Sequence, residues 1–388
     1  MTTQRVLRAH EPRDLISLVP YRLGFRPAAS VVLMGMTMNE ARGTSEVGLV
    51  ARADLAGLAH DEHGPDLAAD LAGHLLDSGA DGVFVVIYTS APHGAPGREG
   101  LERVRQVLDA ALAWMPPVEP WVVGPDGWGH LSCACCPPGG RALDELLGTE
   151  IGATLVLEGV GPAPSRERLG TSRVPRGPAR SAARRAARAE RARHRDVAAA
   201  CGGAPLVRGA AFGVPGAAAL RDQGPLDRWR EEGARLWDRS VRRPEDDPAP
   251  PSDLGRLLVF MADRFLRDAI IAAVLAGVGR SPASYLSDAA IGAAHDAGRP
   301  PRHDVFEPAM ALATAVAAHA ADGDAAPALG LLAFLAWWAG ESARADVVAR
   351  QALDEEPGHH LAELVVVAVE GSLPPPWYER AGPRYGGR

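Results

Sequence analysis

SVVLMGM, residues Ser30–Met36, and VFVVIY, residues Val83–Tyr88, are the stretches whose reading decides the fold. Both are short, nearly continuous in apolar side chains and rich in β-branched residues. Both read as strands, and the near-continuous VFVVIY is what a strand covered on both sheet faces shows. A third strand is expected over Glu46–Arg52, running into Arg52-Ala-Asp54. Between the strands, His63–Ser78 places Leu67, Leu71, Leu75 and Leu76 on one helical face, and Gly79 is a natural stop. Arg98–Met115 reads as a second helix closed by Pro116-Pro117. Trp121–Gly124 and Gly129–Cys133 read as short strands around a Gly-Pro-Asp-Gly turn. Alternation of this kind predicts an α/β domain over residues 1–165, a mixed sheet with flanking helices.

Outward from that domain the composition changes. Arg166 to Arg195 holds eleven Arg against two Glu, set mostly in Ala. At about 100° per residue, Arg180, Arg184, Arg188, Arg191 and Arg195 fall on one narrow helical face, with Ala filling much of the opposite side. Residues 166–240 are therefore expected to be a basic Arg/Ala helical connector, and residues 241–252, rich in Pro and Asp, a linker. Residues 253–388 read as all-α. Asp253–Leu275 reads as one helix capped by Ser252, followed by Pro308–Ala321, Leu329–Ala339, Ser342–Glu355 and Leu361–Glu370. The short turns favour antiparallel neighbours. Gly340, Ala345, Ala352-Leu353 and Pro357 stand at the spacing of a tetratricopeptide repeat, and the following helix starts about 33 residues after its predecessor. Ala328–Glu370 thus resembles one and a half such repeats, which implies a helical hairpin and, by analogy, a groove for a peptide. The adjacent Trp337-Trp338 pair is read as hydrophobic packing.

Composition removes several chemistries. The 388-residue chain has 41 basic residues, every one of them Arg, and a formal net charge of −7. Without lysine there is no side-chain Schiff base for pyridoxal phosphate and no P-loop lysine for a nucleotide, and kinase-type lysines are excluded too. The net charge argues against a globally basic nucleic-acid binder. No apolar run approaches the roughly 20 residues needed to span a bilayer. Four cysteines and a polar start with no signal-peptide core point to thiols in a reducing cytoplasm, with no membrane partner.

Asp14-Leu15, Leu18-Val19-Pro20-Tyr21-Arg22-Leu23-Gly24-Phe25-Arg26-Pro27 and Ser30-Val31-Val32 resemble the opening signature of a large actinobacterial family known only as a domain of unknown function. Arg52-Ala-Asp54, Cys135-Cys136-Pro137, Ser165-Arg166-Glu167 and Arg267-Asp268 fit the same pattern in order. So does the tail with Ala345, Ala352-Leu353, Pro357, Leu361-Ala362 and Leu373-Pro374. The resemblance implies a cytoplasmic actinobacterial protein. It assigns no activity and no catalytic residue.

Three groups of residues could carry chemistry. Arg52, Asp54, Ser165, Arg166, Glu167, Arg267 and Asp268 are polar positions of that pattern, and post-strand polar residues of α/β domains are where sites tend to lie. They fit either a catalytic carboxylate with an Arg partner, as in a hydrolase, or ion pairs that fix helices. Arg267 and Asp268, one residue apart on a helix, are expected to need separate partners. His130, Cys133, Cys135 and Cys136 form the densest set of soft ligands, with Cys201 as a distant fifth. Zinc binding, a reactive or redox thiol, and inert buried cysteine all remain open there. The Arg stripe fits nucleic acid or another polyanion, or a solvated face paired with acids such as Glu245–Asp247. His60-Asp61-Glu62-His63 lacks zinc-protease spacing and is read as an exposed loop. The helical hairpins and the missing catalytic motifs favour a protein-binding or adaptor module. An enzyme, a metal or thiol-redox protein and a nucleic-acid-associated protein are the alternatives.

Overall fold

The computed structural model describes residues 7–39, 43–92, 99–115, 119–132, 136–137, 139–200, 224–244, 246–287, 292–293 and 296–381. The chain divides into a unit ending at Arg168 and a helical unit running from Leu169 to Gly382.

The first unit is built on a five-stranded mixed sheet. Its strands are β1 (Ser30–Asn39), β2 (Thr44–Asp54), β3 (Gly82–Tyr88), β4 (Trp121–Val123) and β5 (Trp128–His130), in the order β2-β1-β3-β4-β5. All neighbours are antiparallel except β3 and β4. That parallel pair needs a crossover, and α4 (Glu99–Ala111) lies in it. Period-two alternation sends Val31, Leu33, Val85 and Ile87 to one face, where they meet Leu58 of α2 (Leu55–Ala59), Leu71 and Leu75 of α3 (Gly64–Asp77) and Val104 and Leu108 of α4. Val32, Met34, Val86 and Tyr88 point the other way, onto Ile16 and Val19 of α1 (Pro12–Leu23). Covered faces on both sides explain the uninterrupted apolar runs. Leu76, expected on the buried face of α3, is instead 55% exposed. At about 100° per residue it stands a full step beyond Leu75.

Helix α1 starts with a capping box, in which Glu11 and Asp14 satisfy each other's backbone ends, and closes at Gly24 with φ 78°. Two further helices follow β5: α5 (Asp144–Leu147) and α6 (Glu150–Leu157). Thr149 caps α6 by accepting from the Gly152 amide, and its hydroxyl donates at 2.9 Å to buried Ser17 of α1.

The helical unit contains α7 (Pro178–Ala200), α8 (Pro225–Val241), α9 (Pro251–Ala262), α10 (Arg264–Ala276), α11 (His303–His319), α12 (Ala326–Trp338), α13 (Ser342–Glu355), α14 (His360–Glu370) and α15 (Pro376–Ala381). One core joins Ala187 of α7, Trp229 and Trp237 of α8, Phe260 of α9, Ile270 of α10, Phe306 of α11, Leu332 and Trp338 of α12, Val348 of α13 and Val365 of α14. The segment expected as a connector therefore contributes two helices to this core. Trp338 is fully buried, as the packing reading of the Trp pair requires. The single helix expected over Asp253–Leu275 is two. Asp263 takes an extended conformation (φ −76°, ψ 116°), and its carboxylate accepts the Leu266 amide at 2.9 Å, starting α10 afresh. Ser252 is not a cap, because α9 begins with Pro250 at its N-cap. Helices α7 and α9 cross at near-contact distance: a Cβ on Gly255 would stand 2.0 Å from the Ala183 carbonyl oxygen. Among the described residues no helix is long and apolar enough to cross a membrane.

Candidate functional site

The sheet end where β1 begins and β2 finishes collects most of the polar positions singled out in the first unit. Register places Ser30 opposite Asp54 and Val32 opposite Arg52. The Arg52 guanidinium donates through Nε to Ser30 Oγ at 2.9 Å and pairs through Nη2 with Asp54 at 2.6 Å. Ser30 is fully buried, and its hydroxyl is spent on the Ala28 carbonyl at 2.7 Å. Between them Ala29 holds φ 43°, a left-handed conformation uncommon for alanine. Its carbonyl accepts from the Leu55 amide at 2.9 Å. The chain after α6 returns to this corner: Ala163 bridges Phe25, exchanging backbone bonds with Gly24 and Arg26. A 3-10 turn over Arg166–Leu169 follows. A hydrogen bond from Ser165 first, then its own backbone amide and the nearby Arg166 and Arg52, hold the Glu167 carboxyl below its ordinary range.

Arg52, Asp54, Ser165, Arg166 and Glu167 are thus brought together, with Ser30 as an additional member. The chemistry of the corner is that of a salt-bridged joint. Arg52 is committed as a donor, to Ser30 through Nε and to Asp54 through Nη2. A carboxylate held below its usual range is a weaker general base. Ser30 escaped the sequence reading because it looked like the first residue of an apolar strand.

Arg267 and Asp268 belong to α10 of the helical unit. Separate partners were expected for them, yet they pair with each other: Arg267 donates through Nε and Nη2 to Asp268 Oδ1 at 2.8 and 2.7 Å. The long Arg side chain curls back across the 100° or so that separate adjacent helical positions. Arg267 also opposes protonation of His359, whose pKa is lowered chiefly by burial.

Of the soft-ligand set, Cys133 and Cys135 lie outside the described residues, as does Cys201. His130 pairs through Nε2 with Glu119 at 3.2 Å and meets the Trp121 ring edge-on at 5.1 Å, while its backbone amide donates to Cys136 Sγ at 3.4 Å. Its Nδ1 is buried without a partner among the described residues. No group of three or more His, Cys, Asp or Glu among the described residues is placed to hold a metal. In the His60–His63 run the two rings stack at 4.7 Å, and His60 Nδ1 accepts from the Glu62 amide at 3.2 Å. The run folds as a turn ahead of α3.

The Arg stripe on α7 divides into two parts. Its buried face is Ala183, Ala187 and Glu190, not the Ala side directly opposite the arginines. Arg180 and Arg191 flank that face and are committed: Arg180 is buried, pairs with Asp322 and donates through Nε to the Ala320 carbonyl, and Arg191 pairs with Asp324 at 3.0 Å. Arg184, Arg188 and Arg195 are exposed. The expected pairing with Glu245–Asp247 is not what neutralises Arg180 and Arg191; acids of the α11–α12 turn do this.

A buried ionic cluster that the sequence reading missed lies below α7. Glu190, 5% exposed, accepts from Trp229 Nε1 and Arg256 Nε, both at 2.8 Å. Glu232 accepts from Arg193 at 2.5 Å and also from Arg256, and these bonds hold its pKa down to about 2. Asp263, 3% exposed, takes a two-pronged contact from Arg230 at 3.0 and 2.9 Å. The His194 ring lies tilted at 43° against Trp229, centroids 4.5 Å apart, and burial lowers its pKa. One signal was available: Glu190 is the only acid in α7 before Asp196.

These features define a two-unit protein, a sheet-based unit followed by a helical unit, whose described polar clusters are spent on internal ion pairs. Residues 12–376 match the family model described as Domain of unknown function (DUF4192), and the chain belongs to that family. Comparison with curated proteins and with solved structures gave no match.

Proposed function

We propose that this chain is a protein-binding module with no catalysis of its own, and that it engages its partner through the outer face of α14. The carrying observation is the asymmetry of that helix. Leu361, Ala362 and Val365 are buried against the core, while Leu364 and Val367 are 41% and 61% exposed, with Leu373 exposed just beyond. Helices that end a stack ordinarily turn a polar side outward. Apolar side chains exposed on such a side, here standing between Glu363 and Glu370, mark an interaction surface. The tetratricopeptide-like spacing of Ala328–Glu370 supports the same reading, and four cysteines in a chain of this length suit a reducing cytoplasm.

Affinity capture from the native cells with the full chain as bait, compared by quantitative mass spectrometry with L364E/V367E, tests it. The expected result is a defined partner set reduced about tenfold or more in the variant, with unchanged circular dichroism. Equal recovery of the same proteins by both baits overturns the reading.

A further inference from the structure

Independently of that reading, we infer that the exposed face of α7 binds the phosphate backbone of nucleic acid without reading its sequence. The starting point is the part of the Arg stripe the fold does not use. Arg184, Arg188 and Arg195 are exposed, fall within about 40° of one another on the helix and span about 16 Å along it. Arg185 is exposed beside them.

Several arginines elsewhere pair with acids at helical spacing: Arg235 with Glu231, Arg243 with Asp247 and Arg344 with Glu341. The α7 strip has no such neighbours. The positions three and four residues from Arg184, Arg188 and Arg195 hold Arg, Ala or Ser and no acid. Arg180–Arg184, Arg184–Arg188 and Arg191–Arg195 are like-charge pairs one turn apart, an arrangement that destabilises a helix. Asp322 and Asp324, the nearby acids, are already taken by Arg176, Arg180 and Arg191. Asp196 is one step round the helix from Arg195. Among the described residues, a strip of guanidinium groups without acidic partners therefore stands on a helix whose adjoining face is fixed in the core.

The chemistry of the strip selects among anions. A membrane-surface helix needs large apolar side chains free to enter the lipid, but the other side of α7 is Ala183 and Ala187, closed on α9. A protein interface is anchored by aromatic or large aliphatic residues, whereas here Ala192 and Ala199 flank the arginines. A phosphate backbone asks only for charge and guanidinium donors. Sixteen ångströms covers about five phosphates of one strand at about 3.4 Å each. No aromatic side chain interleaves the strip to stack on bases, so the contact is independent of sequence.

The test is fluorescence anisotropy of the full chain with a labelled 24-base-pair duplex and a scrambled duplex. Expected is binding of both at 50 mM salt, with affinity falling about 40-fold between 50 and 200 mM, the slope of about three neutralised phosphates. R184Q/R188Q/R195Q should weaken binding about tenfold or more, and R235Q/R243Q/R302Q, which removes equal charge elsewhere, less than about twofold. No binding by the wild-type chain at 50 mM salt, or equal losses in the two variants, overturns the inference. So does displacement of the duplex by polyglutamate at equal charge, which would indicate an acidic protein, or equally tight binding of phosphatidylserine vesicles. If circular dichroism shows the first variant misfolded, the salt slope and the two competitions on the wild-type chain decide.

Discussion

Asp263 concentrates more function in one side chain than any other residue of the helical unit. It starts α10 by accepting the Leu266 amide and holds Arg230 across the helix boundary. Asp263→Ala leaves the Arg230 guanidinium with the longer Asp227 contact at 3.6 Å in place of a two-pronged one and removes the cap, so a loss of about 3 kcal/mol or more in urea denaturation is expected. His194 gives a pH signature. Burial lowers its pKa, Asp263 and Glu190 pull it up and Arg230 pushes it down. The folded value lies below the ordinary 6.5, so the imidazole is neutral in the fold. Its contribution to stability is complete above about pH 6.5 and is lost as pH falls through the folded value. His194→Gln should flatten the pH dependence of the melting temperature over that window. Glu232 works in a lower range: with its pKa near 2 against an ordinary 4.5, its contribution is complete above 4.5 and is lost as pH falls toward 2. Glu232→Gln should remove that acid-range slope in equilibrium unfolding.

At the scale of elements, the closest joint is α7 on α9. Both contacting groups at Gly255 and Ala183 are backbone, so neither can rotate away from an added methyl. Gly255→Ala should cost about 2 kcal/mol or more in chemical denaturation, although alanine is the better helix former. Another joint closes α11. Its last carbonyls are met from α7 and the segment before it: Ala317 O accepts from Arg173 besides the Ala320 amide, Ala318 O from the Val174 amide and Ala320 O from Arg180. What the sequence revealed and concealed follows from the range of these interactions. The VFVVIY run announced a strand covered on both faces because that pattern is local. The break at Asp263 carried no Gly or Pro and rests on Arg230, 33 residues back. Arg180 looked like one more solvated arginine, since its acid lies 142 residues further on. The gathering of Arg52, Asp54 and Ser165–Glu167 at one corner followed the strand-end rule, but the return of Ser165–Glu167 to it depended on the backbone bridge at Ala163.

For the whole molecule, each unit has its own buried core: Val31, Leu33, Leu75 and Ile87 in one, Trp229, Phe260, Leu332 and Trp338 in the other. Residues 1–168 and 169–388 produced as separate polypeptides are therefore each expected to unfold cooperatively, which circular dichroism against urea would show. A single broad, non-cooperative loss of signal from either would mean that it depends on the other.

The way α7 is seated has a consequence for how the helical unit could be cut and rejoined. It is gripped by α9 at Gly255, by the α11–α12 turn through Arg180 and Arg191, and by the Glu190 cluster. A polypeptide severed between α7 and α8 should survive as a noncovalent complex, and the two fragments, expressed apart and mixed, should reconstitute the native particle. The same cleft would accept new termini in a circular permutant.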